Sequence, residues 1–199
     1  MKKIFKICAE FLSLLCIASA LMISCASNGV EPESKTPAVF VTNLKKINIL
    51  TVENIEKPID EVQLFEGSFG EKSFALPLYI QADEKGISIS MLNDFGTSMG
   101  ELTYMDNTVE FNSPVFPENL KAEYIVWDIQ LALYRAEEIS KVLAKHKLVF
   151  TVENNGETEI RKIYDGKTLI EEVVLKKNFI EIKNSLRGYE YHLIGVGDE

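Results

Sequence analysis

The chain has 199 residues, of which 30 are acidic and 21 are basic, so its formal net charge at neutral pH is −9. An acidic balance of this size argues against nucleic acid as a partner and against attraction to anionic lipid headgroups. Hydrophobic residues make up 46% of the chain. That content and length suit one ordinary domain with its own core.

The first 25 residues have the pattern of a lipoprotein export signal. Three lysines form a basic head, residues 11–23 carry no charge and are mostly apolar, and the small Ser24 stands directly before Cys25. A signal peptidase needs a small side chain at its cut, and Cys25 would supply the sulfur for a thioether-linked diacylglycerol. We expect residues 1–24 to be a signal peptide and Cys25 to be the lipid anchor, acylated for example with palmitate.

Two other interpretations of this segment are weaker. Cys16 is a rival acylation site, but Leu15 before it is too large for the cut. An uncleaved membrane anchor needs about 20 apolar residues, whereas the uncharged run here has only about 13. Removing residues 1–24, with their three lysines and one glutamate, leaves 175 residues with a net charge near −11. The mature chain would then have no thiol to form a disulfide, because the third cysteine is also in the signal.

The composition of the segment after Cys25 is typical of a flexible tether. Residues 26–37 are rich in Ser, Asn, Gly, Glu and Pro and contain too little apolar surface to pack. We therefore assign residues 25–40 to the lipidated cysteine and tether, and residues 41–199 to a single domain. Ala26 is not the Asp that retains lipoproteins at the inner membrane. This favours the periplasmic face of the outer membrane, or the cell envelope more generally.

Residues 48–111 alternate between apolar and polar side chains, with turn residues between the runs. This pattern predicts an antiparallel meander. Turns are expected at residues 82–86, 93–96 and 106–107. One face of the resulting sheet is apolar, so another element must cover it.

Apolar side chains recur at helical spacing in residues 118–134, with Pro117 suited to the first turn. Residues 136–146 read as a second helix, and period-two patterns return in residues 148–193. The order of strands, helical pair and strands predicts an α+β fold. We expect a curved antiparallel sheet with the two helices covering its concave face.

Few side chains point to catalysis or metal binding. Neither His146 nor His192 is predicted to have a neighbour at metal-ligand spacing, and no nucleophile elbow or phosphate loop is present. The pairs 137–138 and 171–172, both Glu-Glu, are interpreted as solvated carboxylates. Asp128 interrupts the most apolar helix and is interpreted as a helix-edge carboxylate that pairs with a cation. The sequence therefore predicts no enzyme, no metal and no cofactor.

Several segments, taken in order, carry a family resemblance: residues 86–92 (GISISML) with 95–97 (FGT), residues 128–134 (DIQLALY), and Arg161 with 187–191 (RGYEY). Over roughly residues 62–196 the chain resembles uncharacterised bacterial lipoproteins with a LolB-like, or lipoprotein-localisation, fold. Some of those proteins accompany aryl polyene synthesis. The resemblance implies a LolA/LolB-like half-barrel whose apolar interior receives acyl chains, but it does not imply the localisation activity itself.

Two functions of different classes are consistent with this sequence. The first is a membrane-anchored lipoprotein that binds an acyl chain or lipid-like molecule in the half-barrel and assists its transport or insertion at the envelope. The second is an accessory envelope lipoprotein that binds a protein partner without a ligand, through its acidic surface and the aromatic Tyr189 and Tyr191. In the first case the apolar sheet face and the helix would line the cavity. The candidate lining residues are Leu76, Leu78, Ile80, Ile87, Ile89, Met91, Leu102, Tyr104, Ile125, Ile129 and Phe150.

Overall fold

The computed structural model describes residues 36–69, 71–114 and 121–196, without the side chains of Phe69 and Lys72. Residues Lys35–Glu199 form one compact unit. The predicted signal peptide, the Cys25 anchor and most of the predicted tether lie outside the described residues. So does the predicted first turn of the first helix around Pro117.

Twelve strands and two helices account for most of the described residues. The helices are α1 (Ala122–Leu133) and α2 (Ala136–Lys145), and Val52–Asn54 forms a single 3₁₀ turn. The strands are β1 (Ala38–Phe40), β2 (Lys46–Asn48), β3 (Ile59–Phe69), β4 (Lys72–Asp83), β5 (Gly86–Leu92), β6 (Ser98–Met105), β7 (Thr108–Asn112), β8 (Val149–Asn155), β9 (Thr158–Asp165), β10 (Thr168–Lys176), β11 (Phe179–Asn184) and β12 (Tyr189–Gly195).

Strands β3 to β12 form one unclosed sheet of ten antiparallel strands, in the order β7-β6-β5-β4-β3-β12-β11-β10-β9-β8. Each half of the sheet is a meander, and the two halves meet where β12 pairs with β3, with Leu193 opposite Phe65. The predicted antiparallel meander and the α+β class are confirmed. The predicted turn at Asp106 and Asn107 is also confirmed, and both residues have positive φ, as the tightest hairpin turns require.

The sheet curves around α1. This helix contacts both β7, at one edge of the sheet, and β10, seven strand positions away. In a flat sheet these strands would be about 34 Å apart, more than a helix of about 10 Å diameter can bridge. Helix α1 therefore lies on the concave face, whereas α2 contacts mainly the edge strand β8.

Helix α1 contacts a second sheet as well as the main sheet. This second sheet is the two-stranded hairpin of β1 and β2, and β1 makes the contact. Because α1 has neighbours on both sides, nine of its twelve residues are buried, a pattern expected of a helix without a solvent face. The sequence interpretation placed residues 38–40 in the tether, and this is wrong. Val39 is only 1% exposed, so the folded unit begins before residue 41.

The helix predictions agree with the structure where it can be compared. Helix α2 ends one residue before the predicted limit of 146, and its inward Ile139 and Leu143 are fully buried. Within the described residues α1 begins at Ala122, after the predicted start at residue 118. No helix in the described part of the chain is long and apolar enough to cross a membrane.

Candidate ligand-binding site and a buried acid cluster

The inward side chains of β4 become less buried from the C-terminal end of the strand toward its N-terminal end. Ala82 and Ile80 are 0% and 1% exposed and Leu78 is 6% exposed, whereas Leu76 and Phe74 are only half-buried. The concave face is therefore close-packed near the turn between β4 and β5. It is more open where β3 ends and β4 begins, and we call this region the open end.

A row of aromatic rings leads from the open end along the concave face. Phe74 stacks on Phe65 with ring centroids 5.1 Å apart, and Phe65 meets Tyr191 edge-on at 5.1 Å. Tyr191 in turn stacks on Tyr189 at 6.1 Å. The row depends on Gly67, since a Cβ there would lie 2.7 Å from the Phe74 ring and 2.8 Å from Tyr191 Cβ. A glycine is needed where another side chain crosses the strand this closely.

The first turn of α1 brings further groups to the open end. Tyr124 and Ile125 are half-buried, and the Arg187 guanidinium lies 4.3 Å from the centre of the Tyr124 ring. Arg187 also donates a hydrogen bond to the Phe40 carbonyl. Its Nε is buried and has no hydrogen-bond partner among the described residues. The described side chains at the open end are therefore mainly apolar, with the Arg187 guanidinium beside them.

The eleven predicted cavity residues differ in how deeply they are buried. Eight are buried in the core, namely Leu78, Ile80, Ile87, Ile89, Met91, Leu102, Tyr104 and Ile129. Leu76, Ile125 and Phe150 are half-buried and pack against that core. Of these three, Leu76 and Ile125 belong to the open end. Alternation identified the apolar face, but the residues that keep accessible surface include Phe65 and Phe74, which the predicted set lacks.

A separate groove of about 350 Å³ lies outside the concave face. It contains none of the predicted cavity residues and is partly basic. It is lined by Lys46, Asn48, Ile49, Leu50, Thr51, Asn54, Val142, Lys145 and His146.

Asp128 lies at the interface between α1 and the sheet, not at the helix edge. Its side chain is 2% exposed and accepts hydrogen bonds from the Tyr189 hydroxyl, 2.9 Å from both carboxylate oxygens, and from the Tyr191 hydroxyl at 3.0 Å. The interpretation of Asp128 as a surface carboxylate paired with a cation is therefore wrong. Two tyrosine hydroxyls satisfy it, and Arg187 acts on it only through its electrostatic field.

Glu171 is the second member of this buried acid cluster. It is 1% exposed, so its interpretation as a solvated carboxylate is wrong as well. Asp128, Trp127 and Asn184 lie close enough to act on its pKa. Yet neither Trp127 Nε1 nor Glu171 Oε1 completes a hydrogen bond of normal geometry with any described residue. The sequence carried a signal for this burial, because period two places Glu171 on the same face as Val173 and Leu175.

Burial dominates the electrostatics of the cluster. It raises the pKa of Asp128 to about 6, although hydrogen bonds from Glu171 and the two tyrosines oppose the shift. Burial and the nearby Asp128 charge raise the pKa of Glu171 well above its usual range. The same two causes raise the pKa of Tyr189 and of Tyr191. These shifts favour a shared proton on the pair more strongly than two exposed carboxyl groups would.

One set of side chains at metal-ligand spacing lies on the other face of the sheet. Within the described residues Glu181, Glu190 and His192 bring one ligand atom each within 4.8 Å of the others. The expectation that neither histidine has such a neighbour is therefore wrong for His192. The signal was Glu-x-His on a strand, since residues two apart share a face.

These observations define a class of protein: an α+β domain in which a curved, unclosed antiparallel sheet surrounds an apolar helix. A family model described as "Protein of unknown function (DUF3261)" matches residues 60–194. Because the match covers more than half of the chain, the protein belongs to this family. The matched region contains both helices and nearly all of the ten-stranded sheet, but not the β1–β2 hairpin. No curated protein matches the chain.

Proposed function

We propose that this protein is a membrane-anchored envelope lipoprotein of LolB-like type. It binds an acyl chain or another long apolar molecule at the open end of the concave face, and it assists the transport or insertion of that molecule. The observation that carries the proposal is the loss of burial along β4, from Ala82 to Phe74, together with the aromatic row beside it.

The physical argument concerns the apolar surface that is left in contact with water. Rings and aliphatic side chains at the open end, such as Phe74, Leu76 and Ile125, are half-buried, so part of their surface stays in contact with water. A bound chain would remove their remaining surface from water, and each methylene that it buries contributes about 0.8 kcal/mol. Aromatic side chains suit this role because they offer large, rigid contact surfaces.

The predicted lipid anchor would keep this binding site close to a membrane. Acylated Cys25 would hold the domain at the periplasmic face of the outer membrane, within reach of lipid. The twelve residues 26–37, between the anchor and β1, would let the domain approach the bilayer. An association with aryl polyene synthesis, as in some of the proteins that this chain resembles, would supply long apolar substrates.

One observation supports ligand binding over the alternative of a protein scaffold that uses its acidic surface, Tyr189 and Tyr191. Both tyrosines lie on the concave face and donate hydrogen bonds to Asp128. Tyr191 is buried and Tyr189 is half-buried, so they offer little surface to a partner.

The test is the binding of a fluorescent fatty-acid probe to the chain from residue 26 onward, which contains the whole compact unit. Phe74→Ala and Leu76→Ala should weaken probe binding severalfold, since each removes contact surface at the open end. Tyr79→Ala is the matched control, because Tyr79 lies on the same strand but is 37% exposed on the opposite face. A wild type that takes up no probe, or equal losses in all three variants, would count against the proposal.

A further inference from the structure

The convex face of the sheet carries a second cluster of chemically active side chains. On β12, Tyr191 and Leu193 point toward the helices and are buried, so His192 between them points to the convex face. Glu190 shares this face, two residues before His192. Glu181 on β11 lies directly opposite His192 in the strand register. Three potential metal ligands are therefore fixed on two adjacent interior strands.

The distances within this cluster suit a shared ion. His192 Nε2 lies 3.9 Å from Glu181 Oε2 and 3.8 Å from Glu190 Oε1. Ligand atoms about 2.1 Å from a tetrahedral zinc ion are about 3.4 Å apart. The two separations from His192 thus need to close by about 0.5 Å or less. The ligand oxygens of Glu181 and Glu190 lie within 4.8 Å of each other and need to close by at most about 1.4 Å, which rotations of the long glutamate side chains provide.

The surroundings of His192 favour a cation. Glu66 on β3 is opposite His192 on the other side of β12, so carboxylates flank the imidazole on both neighbouring strands. Lys183 is the positive group in contact with the cluster, with Nζ 2.9 Å from Glu190 Oε2, the oxygen that does not face the histidine. A second ammonium group, that of Lys176, lies 5.3 Å from the centre of the Phe179 ring, so three carboxylates outnumber two ammonium groups. Phe179 packs beside the imidazole with ring centroids 5.3 Å apart and limits its motion.

We propose that Glu181, Glu190 and His192 form a binding site for a divalent transition-metal ion of the Zn²⁺ type. One imidazole and two carboxylates select such ions over Ca²⁺ and Mg²⁺, which prefer oxygen ligands alone. Water or the Glu66 carboxylate completes the coordination. The site faces away from the concave surface, so it is independent of acyl-chain binding.

The test is titration calorimetry of the full chain in detergent with Zn²⁺, after treatment with a chelator. Wild type should bind one Zn²⁺ per chain. His192→Gln and Glu181→Gln should each weaken binding by more than about tenfold, because even residues that only support a metal ligand contribute about that much. His146→Gln is the matched control, since it removes the only other histidine and should leave the affinity unchanged.

Two results would overturn the proposal: no Zn²⁺ uptake by wild type, or equal affinity in wild type and His192→Gln. If a variant fails to fold, NMR of the wild type decides instead. One equivalent of Zn²⁺ should shift the ring resonances of His192 and leave those of His146 in place. A shift of both rings, or of neither, would exclude a specific site at His192.

Discussion

Asp128 and Glu171 stand out among the individual residues, because two carboxyl groups are buried side by side and no described cation is in direct contact with them. Such a pair is tolerated only if hydrogen bonds and bound protons replace the lost hydration. Tyr189 and Tyr191 supply hydrogen bonds to Asp128. Burial raises the pKa of both carboxyl groups, so protonation of the pair favours the contact of α1 with β10 and β12.

This arrangement predicts that the domain loses stability as the pH rises. Both carboxyl groups have folded-state pKa values above their ordinary values, so the folded state binds protons more tightly than the unfolded state does. The contribution of each group is fully present below its unfolded-state pKa, about 4, and is lost as the pH rises through its folded-state pKa, which is about 6 for Asp128 and is raised in the same direction for Glu171. Each unit of pKa shift corresponds to about 1.4 kcal/mol. Urea unfolding of wild type and Glu171→Gln between pH 5 and pH 9 measures this loss.

Glu171→Gln should gain stability relative to wild type across this range, because glutamine cannot ionise. Glu172→Gln provides the control, since the neighbouring carboxylate lies on the opposite face of β10, 3.4 Å from Lys162 Nζ. The stability of Glu172→Gln relative to wild type should not change with pH in this way. If the stabilities of wild type and Glu171→Gln changed with pH in parallel, the cluster would carry no excess proton.

At the scale of secondary-structure elements, α1 is held by side chains from other parts of the chain. Its last turn contains no basic residue. Instead Arg161, on β9, donates hydrogen bonds to the carbonyls of Leu131 and Tyr134 at 2.8 Å and 2.7 Å. These contacts satisfy helix-end carbonyls that would otherwise be buried without partners. A strand residue thus performs the capping that a lysine or arginine within the helix usually provides.

Gln130 attaches α1 to the segment that follows β2. Its side chain accepts a hydrogen bond from Leu50 N at 2.9 Å and donates one to Leu50 O at 2.7 Å. Gln130→Leu should therefore destabilise the domain by about 1–3 kcal/mol, because a buried backbone donor loses its partner. Urea unfolding checks the loss, and hydrogen exchange at the Leu50 amide should become faster.

Tyr104→Phe separates this effect from a general loosening of the core. The Tyr104 hydroxyl donates to the same Leu50 carbonyl at 2.8 Å but makes no contact with the Leu50 amide. This variant should be less destabilised, and its Leu50 amide should stay protected. Equal exchange rates in the two variants would contradict the assigned role of Gln130.

The sequence predicted those elements whose evidence is local. Alternation over β3 to β12 was readable because one face of each strand is buried, and α2 was readable from its helical spacing. The β1–β2 hairpin was missed because its strands have three residues each, too few for a periodic signal. The partners of Asp128 were not predictable, since Tyr189 and Tyr191 are 61 and 63 residues away along the chain.

At the scale of the whole molecule, one sheet provides two unrelated surfaces. Because successive residues of a strand face opposite sides of the sheet, Tyr191 lies on the concave face and the adjacent His192 lies on the convex face. The open end and the proposed metal site thus share strand β12 but no side chain. A variant that loses probe binding should keep Zn²⁺ binding, and the reverse also holds. The pairing of β12 with β3 joins the two meanders, and it places Phe65 and Gly67 of β3 beside Tyr191 and Leu193 of β12 at the concave face.

Cys25→Ala should release the protein from the membrane, because it removes the cysteine that would carry the acyl chains, and stable anchoring needs more than one such chain. Its thermal unfolding should match that of the wild-type domain, since Cys25 precedes the compact unit Lys35–Glu199. Fractionation with high-salt washing measures the release, and Cys16→Ala, the control, should remain bound. If Cys16→Ala is released instead and Cys25→Ala stays in the membrane, the acylated residue is Cys16, and the segment between the anchor and the sheet is nine residues longer.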